Sequence, residues 1–268
     1  MVALDTVLVD VHNASGAAIG LTAGTAANGD SLTIRNFPDS SWARLEAVSL
    51  MAGTAGRQVQ VKSPAFHDNV TGLTWKTTES PAEFLLPREV GQPLTRGDTL
   101  SVLMDAAATS DSVCTLHNYY AQGAGSDGRY YSWGDISSII KTIKPVQVAI
   151  TTSATIGQWT DTVITTTDNQ LHADTDYAVL GYYTDVSLVA IGIKGQDTGN
   201  LRACGPGMIG SLDPTDYFVQ MSQLHGTPHI PVINSNNKAS IYLSAAANTA
   251  SVAATPTLIL AELSQTLG

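Results

Sequence analysis

Positions half a chain apart carry the same core pattern, and this constrains the fold more than any other feature of the sequence. Val7, Val9 and Val11 match Val146, Val148 and Ile150 at an offset of 139. Leu32 matches Leu171 at the same offset, as Val113 does Val252. Val102, Met104 and Ala106-Ala107-Ala108 match Ile241, Leu243 and Ala245-Ala246-Ala247, again at 139. Val48-Ser49-Leu50 matches Val186-Ser187-Leu188, and Pro93-Leu94 matches Pro231-Val232, both at 138. Single apolar matches are weak where 43% of residues are hydrophobic. A nearly constant offset is stronger, because slipping a strand by one residue turns its side chains to the wrong face. The repeat predicts a duplicated unit: a first sandwich over 1–122, a connector over 123–144 and a second sandwich over 145–268.

The repeated unit reads as β. Val7-Leu8-Val9-Asp10-Val11, Val59-Gln60-Val61, Leu100-Ser101-Val102-Leu103-Met104, Val146-Gln147-Val148-Ala149-Ile150 and Ile241-Tyr242-Leu243 are short and alternating or β-branched. Gly, Pro, Asn, Asp or Ser bounds most of them, as turns require. The fold class expected is all-β: two tandem antiparallel, jelly-roll-like sandwiches, each large enough for seven or eight strands. One helix is legible. Ile136, Ile139, Ile140 and Ile143 keep helical spacing behind Asp135, a candidate cap, and Pro145 stops the run.

Charge excludes some functions. Asp and Glu number 23 against 13 Lys and Arg, and only 13% of residues are charged, where about 25% is usual. The bases are scattered, Lys141 and Lys144 being the closest cluster, so no nucleic-acid partner is expected. No run of 18 apolar residues predicts a membrane span. The start, MVALDTVLVDV, lacks the basic and apolar regions of a secretory signal, so Asn13-Ala14-Ser15 and Asn69-Val70-Thr71 read as chance sequons.

The tests for chemistry lead to no catalytic, cofactor-binding or metal residue. Cys114 and Cys204 read as free thiols, the first in a buried strand and the second beside the Gly205-Pro206-Gly207 turn. His225 and His229 are four apart, but Gly226 and Pro228 forbid a helix through them, which leaves an exposed loop. His12, His67, His117 and His172 are isolated and read as solvent-facing. Gly205 to Gly210 spells GxGxxG without a following helix, and Gly210-Ser211-Leu212-Asp213 is only a turn. Asp174, Asp176 and Asp185 beside Tyr177, Tyr182 and Tyr183 suggest a sugar or calcium site, against turn aspartates and half-buried strand tyrosines as the plainer account. Arg96-Gly97-Asp98 falls in an expected hairpin turn, opposite Ser235-Asn236-Asn237 in the second half.

Two tandem eight-stranded sandwiches with a short connector, low charge and no catalytic motif resemble the double jelly-roll coat proteins of tailless double-stranded DNA viruses. The resemblance is architectural and covers the whole chain. It implies a non-enzymatic virion protein, assembled in a host cytoplasm, whose partners are copies of itself, a trimer by analogy, and other virion proteins. Those proteins often carry helices inserted in each jelly roll, and none is clear here. That leaves a bacteriophage capsid-decorating or minor virion protein as an alternative to the coat. A further alternative is a carbohydrate- or receptor-binding fibre or adhesin, with Trp42, Trp75, Trp133 or Trp159 as stacking platforms. A glycan hydrolase is a third.

Overall fold

The computed structural model describes residues 2–10, 21–23, 25–26, 42–51, 58–63, 73–76, 82–85, 92–94, 99–105, 113–121, 128–165, 170–207 and 214–267. In the first half, one sheet runs β3 (Thr25–Ala26), β1 (Val2–Asp10), β10 (Val113–Ala121), β4 (Trp42–Met51) and β7 (Ala82–Leu85), with β8 (Gln92–Leu94) also paired to β4. Its companion runs β2 (Leu21–Ala23), β9 (Ser101–Asp105), β5 (Gln58–Lys62) and β6 (Leu73–Lys76). In the second half, one sheet runs β11 (Tyr130–Tyr131), β18 (Ile230–Asn234), β15 (Asp176–Tyr183), β21 (Thr257–Leu263) and β12 (Ile140–Gln147). The other runs β14 (Thr160–Val163), β19 (Ile241–Ala246), β16 (Ala190–Gly195) and β17 (Arg202–Gly205), while β13 (Ile150–Thr151) pairs β20 (Ala253–Ala254).

The two halves have the same connectivity. In each, the first and last long strands pair, the last pairs a strand from mid-sequence, and that strand pairs one from the penultimate hairpin. The remaining four strands form the second sheet in the same interleaved order. All pairings are antiparallel, and no sheet among the described residues mixes the halves. Two four-stranded sheets interleaved this way are the jelly roll, and the protein is all-β with two such sandwiches.

A bulge in each half fixes which residues correspond. On β4, Ala47 faces His117 and Leu45 faces Asn118, so Glu46 is the extra residue. On β15, Gly181 faces Ile259 and Val179 faces Leu260, so Leu180 is the extra residue. Aligned on these bulges, Leu116 corresponds to Leu258, and their partners Val7 and Val146 correspond as the sequence pattern has them. Three other matches shift. Val48 corresponds to Tyr182, not Val186, because both pair with the aligned strand. Val186 lies beyond the end of β15. Pro93 corresponds to Val232, one residue past Pro231. Val113 corresponds to Thr255, not Val252. The connecting segments differ in length between the halves, so a single offset cannot hold around the whole sandwich.

The helix expected behind Asp135, one or two turns long, is present but ends before Ile140 and is capped otherwise. α1 covers Trp133–Ile136 and a 3-10 turn covers Ser137–Ile139. Asp135 sits inside it and accepts from the backbone N–H and Oγ of Ser132, 3.0 and 2.6 Å away. From Ile140 the chain is strand, paired along β21 through Pro145. β12 lies at its sheet's edge, which is where proline is tolerated. A second helix, α2 (Tyr217–His225), is not among the elements that the sequence pattern predicts. Gly226 ends it in the left-handed conformation at φ 63°.

Arg129 and Asp176 pin the second half. The guanidinium donates to both Asp176 oxygens at 3.1 and 2.6 Å and to the Leu267 carbonyl at 2.6 Å. Asn234 Nδ2 and the Leu267 N–H also donate to Asp176, at 2.7 Å each. Despite burial, which opposes it, these donors hold the Asp176 carboxyl below its usual range.

Tight strand packing sets one prediction. A Cβ on Gly192 would strike the Ala203 carbonyl and the Cα of Cys204 on β17. Gly192→Ala should lower unfolding free energy by about 1–3 kcal/mol in urea melts. Gly134→Ala on α1, where a Cβ would meet only Ser132 Oγ at an ordinary 3.8 Å among its near neighbours, should leave it unchanged or slightly raised.

Candidate functional site

The sheet built on β1, β10 and β4 is buried on both faces. Its inner face is apolar: Val7, Val9, Cys114, Leu116, Val48 and Leu50 pack into the core. The alternate residues, Thr6, Ser49, Thr115, His117, Tyr119 and Arg44, form a polar second face, yet each is 5% exposed or less. In a free-standing sandwich that face would meet water. Here β17 and α2 of the second half cover it, and buried apolar residues form one continuous cluster across both halves. A satellite cluster of Leu8, Met51 and Val113 against Val189 and Ala246 seals the same joint.

Two hydrogen-bond systems cross the joint. In the first, Thr6 Oγ1 donates to the Cys204 carbonyl at 2.7 Å and accepts from the Cys204 N–H at 3.3 Å. His117 Nδ1 lies 3.1 Å from the same carbonyl, which makes Nδ1 the protonated nitrogen. Its Nε2 then accepts from Thr115 Oγ1 at 3.1 Å, and Ser49 Oγ bonds Thr115. Burial pushes the His117 imidazole down to about 4, against the partial opposition of the Cys204 carbonyl and Glu46.

The second system closes a ring of four side chains. Arg44 Nε donates to Glu46 Oε1 at 2.7 Å, and Arg44 Nη2 donates to Thr227 Oγ1 at 2.9 Å. Thr227 Oγ1 lies 3.2 Å from His229 Nδ1, and His229 Nε2 lies 2.7 Å from Glu46 Oε2. The bulge at Glu46 aims this carboxylate out of the ladder and across the joint. Arg44 and Glu46 are each 2% exposed, and His229 1%. Burial works to raise the Glu46 carboxyl. His229 and its hydrogen bond, then His225 and Arg44, outweigh it and hold the carboxyl below its ordinary value. Aromatic stacking extends the ring: the Arg44 guanidinium lies 4.4 Å over Tyr119, Tyr119 stacks on His229 at 4.9 Å, and His229 on His225 at 5.4 Å.

Several expectations change here. His225 and His229 are not in an exposed loop: His225 ends α2, and both are buried. His117 is buried instead of solvent-facing, while the His172 side chain is exposed, at 67%, beside Glu262. Both cysteines are buried thiols outside any disulfide, and Cys204 lies within β17, which runs on through Gly205. Asp176 belongs to the Arg129 clamp, and Asp174 takes a left-handed turn at φ 52°. Asp185 accepts the Thr255 N–H. Tyr177 and Tyr182 are fully buried instead of half-buried, and Tyr183 is 55% exposed. Asp174 and Asp176 line one cleft with Lys141 and Glu262, whose described lining includes neither Asp185 nor the three tyrosines. Trp133 and Trp159 are partly buried, Trp159 beneath the Arg202 guanidinium at 4.8 Å. Gly205 packs against Tyr182 and Tyr217 within β17. His12, His67, Asn13, Asn69, Arg96-Gly97-Asp98 and residues 208–213 lie outside the described residues, as do the side chains of Trp42 and Trp75.

Among the described residues no cluster of His, Cys, Asp and Glu is arranged to hold a metal ion, and no helix is long and apolar enough to cross a membrane. The built feature among the described residues is the joint, where the Arg44, Glu46, His229 and Thr227 side chains bond one another out of reach of solvent. Removing Glu46 would leave Arg44 charged and buried. Glu46→Ala should cost about 3–5 kcal/mol of stability in chemical denaturation. The Arg44→Met/Glu46→Leu pair should recover most of that loss.

No family model matches the sequence, and no curated protein does. Three solved structures align with it along most of its length. The major capsid protein P2 from Bacteriophage PM2 is 11% identical over 98% of this chain and 99% of that one, with a TM-score of 0.25. The atomic structure of Sulfolobus Turreted Icosahedral Virus is 8% identical over 100% and 81%, with a TM-score of 0.27. The STIV MCP is 8% identical over 98% and 87%, with a TM-score of 0.20.

Proposed function

We propose that this chain is a structural protein of a virus particle, a capsid coat or capsid-associated protein, that works by packing against copies of itself. The observation that carries the reading is the pair of like-connected jelly rolls joined through a fully buried sheet face. Such a joint makes one block of two similar modules. Three blocks around one axis would present six similar modules, a geometry suited to closed shells. A surface poor in charge favours this, since interface centres are depleted in charged residues.

On this reading the two sandwiches descend from a duplication and cover 1–122 and 145–268. Residues 123–144 connect them and lend β11 and the start of β12 to the second sandwich. The partners are other copies, as a homotrimer, and further virion proteins, with no direct grip on nucleic acid. Assembly takes place in the host cytoplasm, the host being a bacterium. The joint spends its polar chemistry inside the fold, which favours a structural over an enzymatic role.

Sedimentation of the purified protein at rising concentration, with negative-stain imaging, tests the proposal. Trimers, rings or shells are the expected result. A monomer at every concentration that binds a glycan at micromolar levels would replace it with the carbohydrate-binding alternative.

A further inference from the structure

His225 is the odd member of the joint. It is 3% exposed, and neither ring nitrogen has a hydrogen-bond partner among the described residues. Buried polar groups are nearly always bonded, because leaving one unmade forfeits its hydration without return. The ring sits at the last residue of α2, stacked at 5.4 Å and 20° on His229, which is tied to Glu46 on the opposite half. Closing the joint therefore strips His225 of water and gives it in return the stacking contact with His229. Opening the joint would return both nitrogens to water, and the C-terminal end of α2 would then favour an imidazolium.

We propose that the joint between the two jelly rolls is an acid-sensitive latch, with His225 as its trigger. Acid would loosen α2 and β17 from the polar face of β1, β10 and β4 while each sandwich keeps its own sheets. The inference concerns a movement within one chain and does not rest on the assembly reading.

The groups facing the trigger allow this. β4 contributes Arg44 and Glu46, β10 His117 and Tyr119, and β1 Asp5, which lines the same small cavity as Glu46, His117, Cys204, Tyr217 and His229. From its own half, His225 meets His229. Burial pushes His225 down to about 4, with Glu46 opposing and His229 and Arg44 assisting. His117 is depressed likewise. The sign follows. Above about 6.5, the ordinary histidine value, both rings are neutral whether the joint is open or closed, and the latch has its full strength. As pH falls from there toward 4, the open form takes up protons first and is favoured. Glu46, held below its ordinary value, loses its contribution only at still lower pH. The interval between about 6 and 5 therefore isolates the histidines.

Hydrogen exchange at pH 7.5 and 5.0, corrected for the intrinsic pH dependence of amide chemistry, tests the latch. The amides of α2 should open at least about tenfold more often at pH 5.0, with β9 and β19 unchanged. His225→Phe keeps a ring of similar size, removes both nitrogens, and should reduce that acceleration by at least about tenfold. Equal protection of wild-type α2 at both pH values would overturn the proposal. So would an acceleration in His225→Phe as large as in wild type, or loss of protection in every strand together. If His225→Phe does not fold, His225→Gln supplies the same comparison, and the wild-type pair of measurements still decides.

Discussion

The protein depends on burying a polar sheet face. Most antiparallel sheets in small sandwiches keep one face dry and leave the other to water. Here the outer face of β1, β10 and β4 is dry as well, so its hydroxyls, imidazole, carboxylate and guanidinium must find partners inside the protein. They find them across the joint. The Arg44, Thr227, His229 and Glu46 ring satisfies two charged groups with one hydroxyl and one imidazole. A bare pair of charges at that depth would be a net loss. The extra bonds to Thr227 and His229 are what make it tolerable, and they tie the halves in one relative position.

The joint also shows how two like modules acquire different jobs. The bulge residue is Glu46 in the first sandwich and Leu180 in the second. Each lies at the same place in the strand order, and each is turned out of the ladder. In the first the side chain crosses to the partner half, and in the second it is an ordinary buried leucine, 7% exposed. The bulge position is thus one of those that differ between the sandwich that presents a polar face and the one that covers it. The covering elements, β17 and α2, belong to the second half.

Some of the misread elements were legible. Tyr217, Phe218, Met221 and Ser222 line one side of a nine-residue helix, and Gly226 and Pro228 follow it as stop signals. Reading Gly226 and Pro228 only as barriers to a helix through His225 and His229 missed the helix that ends there. Ile140 and Ile143 are three apart, a helical spacing that a regular strand would split between two faces, yet pairing with β21 decided for strand and leaves Ile143 48% exposed. The shifted matches in the repeat have another cause. Strand registers are set by pairing within each sheet, while connecting segments gain and lose residues freely, so a constant offset survives only for some strands.

Alternation of apolar residues determined from the sequence alone that the chain is all-β, that it is built as two sandwiches, and which side of β1, β9, β12 and β19 faces a core. That information is local, because burying one face of a strand imposes a period of two on its own residues. The joint is not local. Arg44 and Thr227 are 183 residues apart, as are Glu46 and His229, and Thr6 and Cys204 are 198 apart. No periodicity links residues so distant, and a polar side chain on a strand reads as solvent-facing until something covers it. Only the packing of one sandwich on the other turned His117 and His225 from presumed surface residues into buried groups, and buried Glu46 with them, because burial belongs to the whole fold and not to the strand that carries the residue.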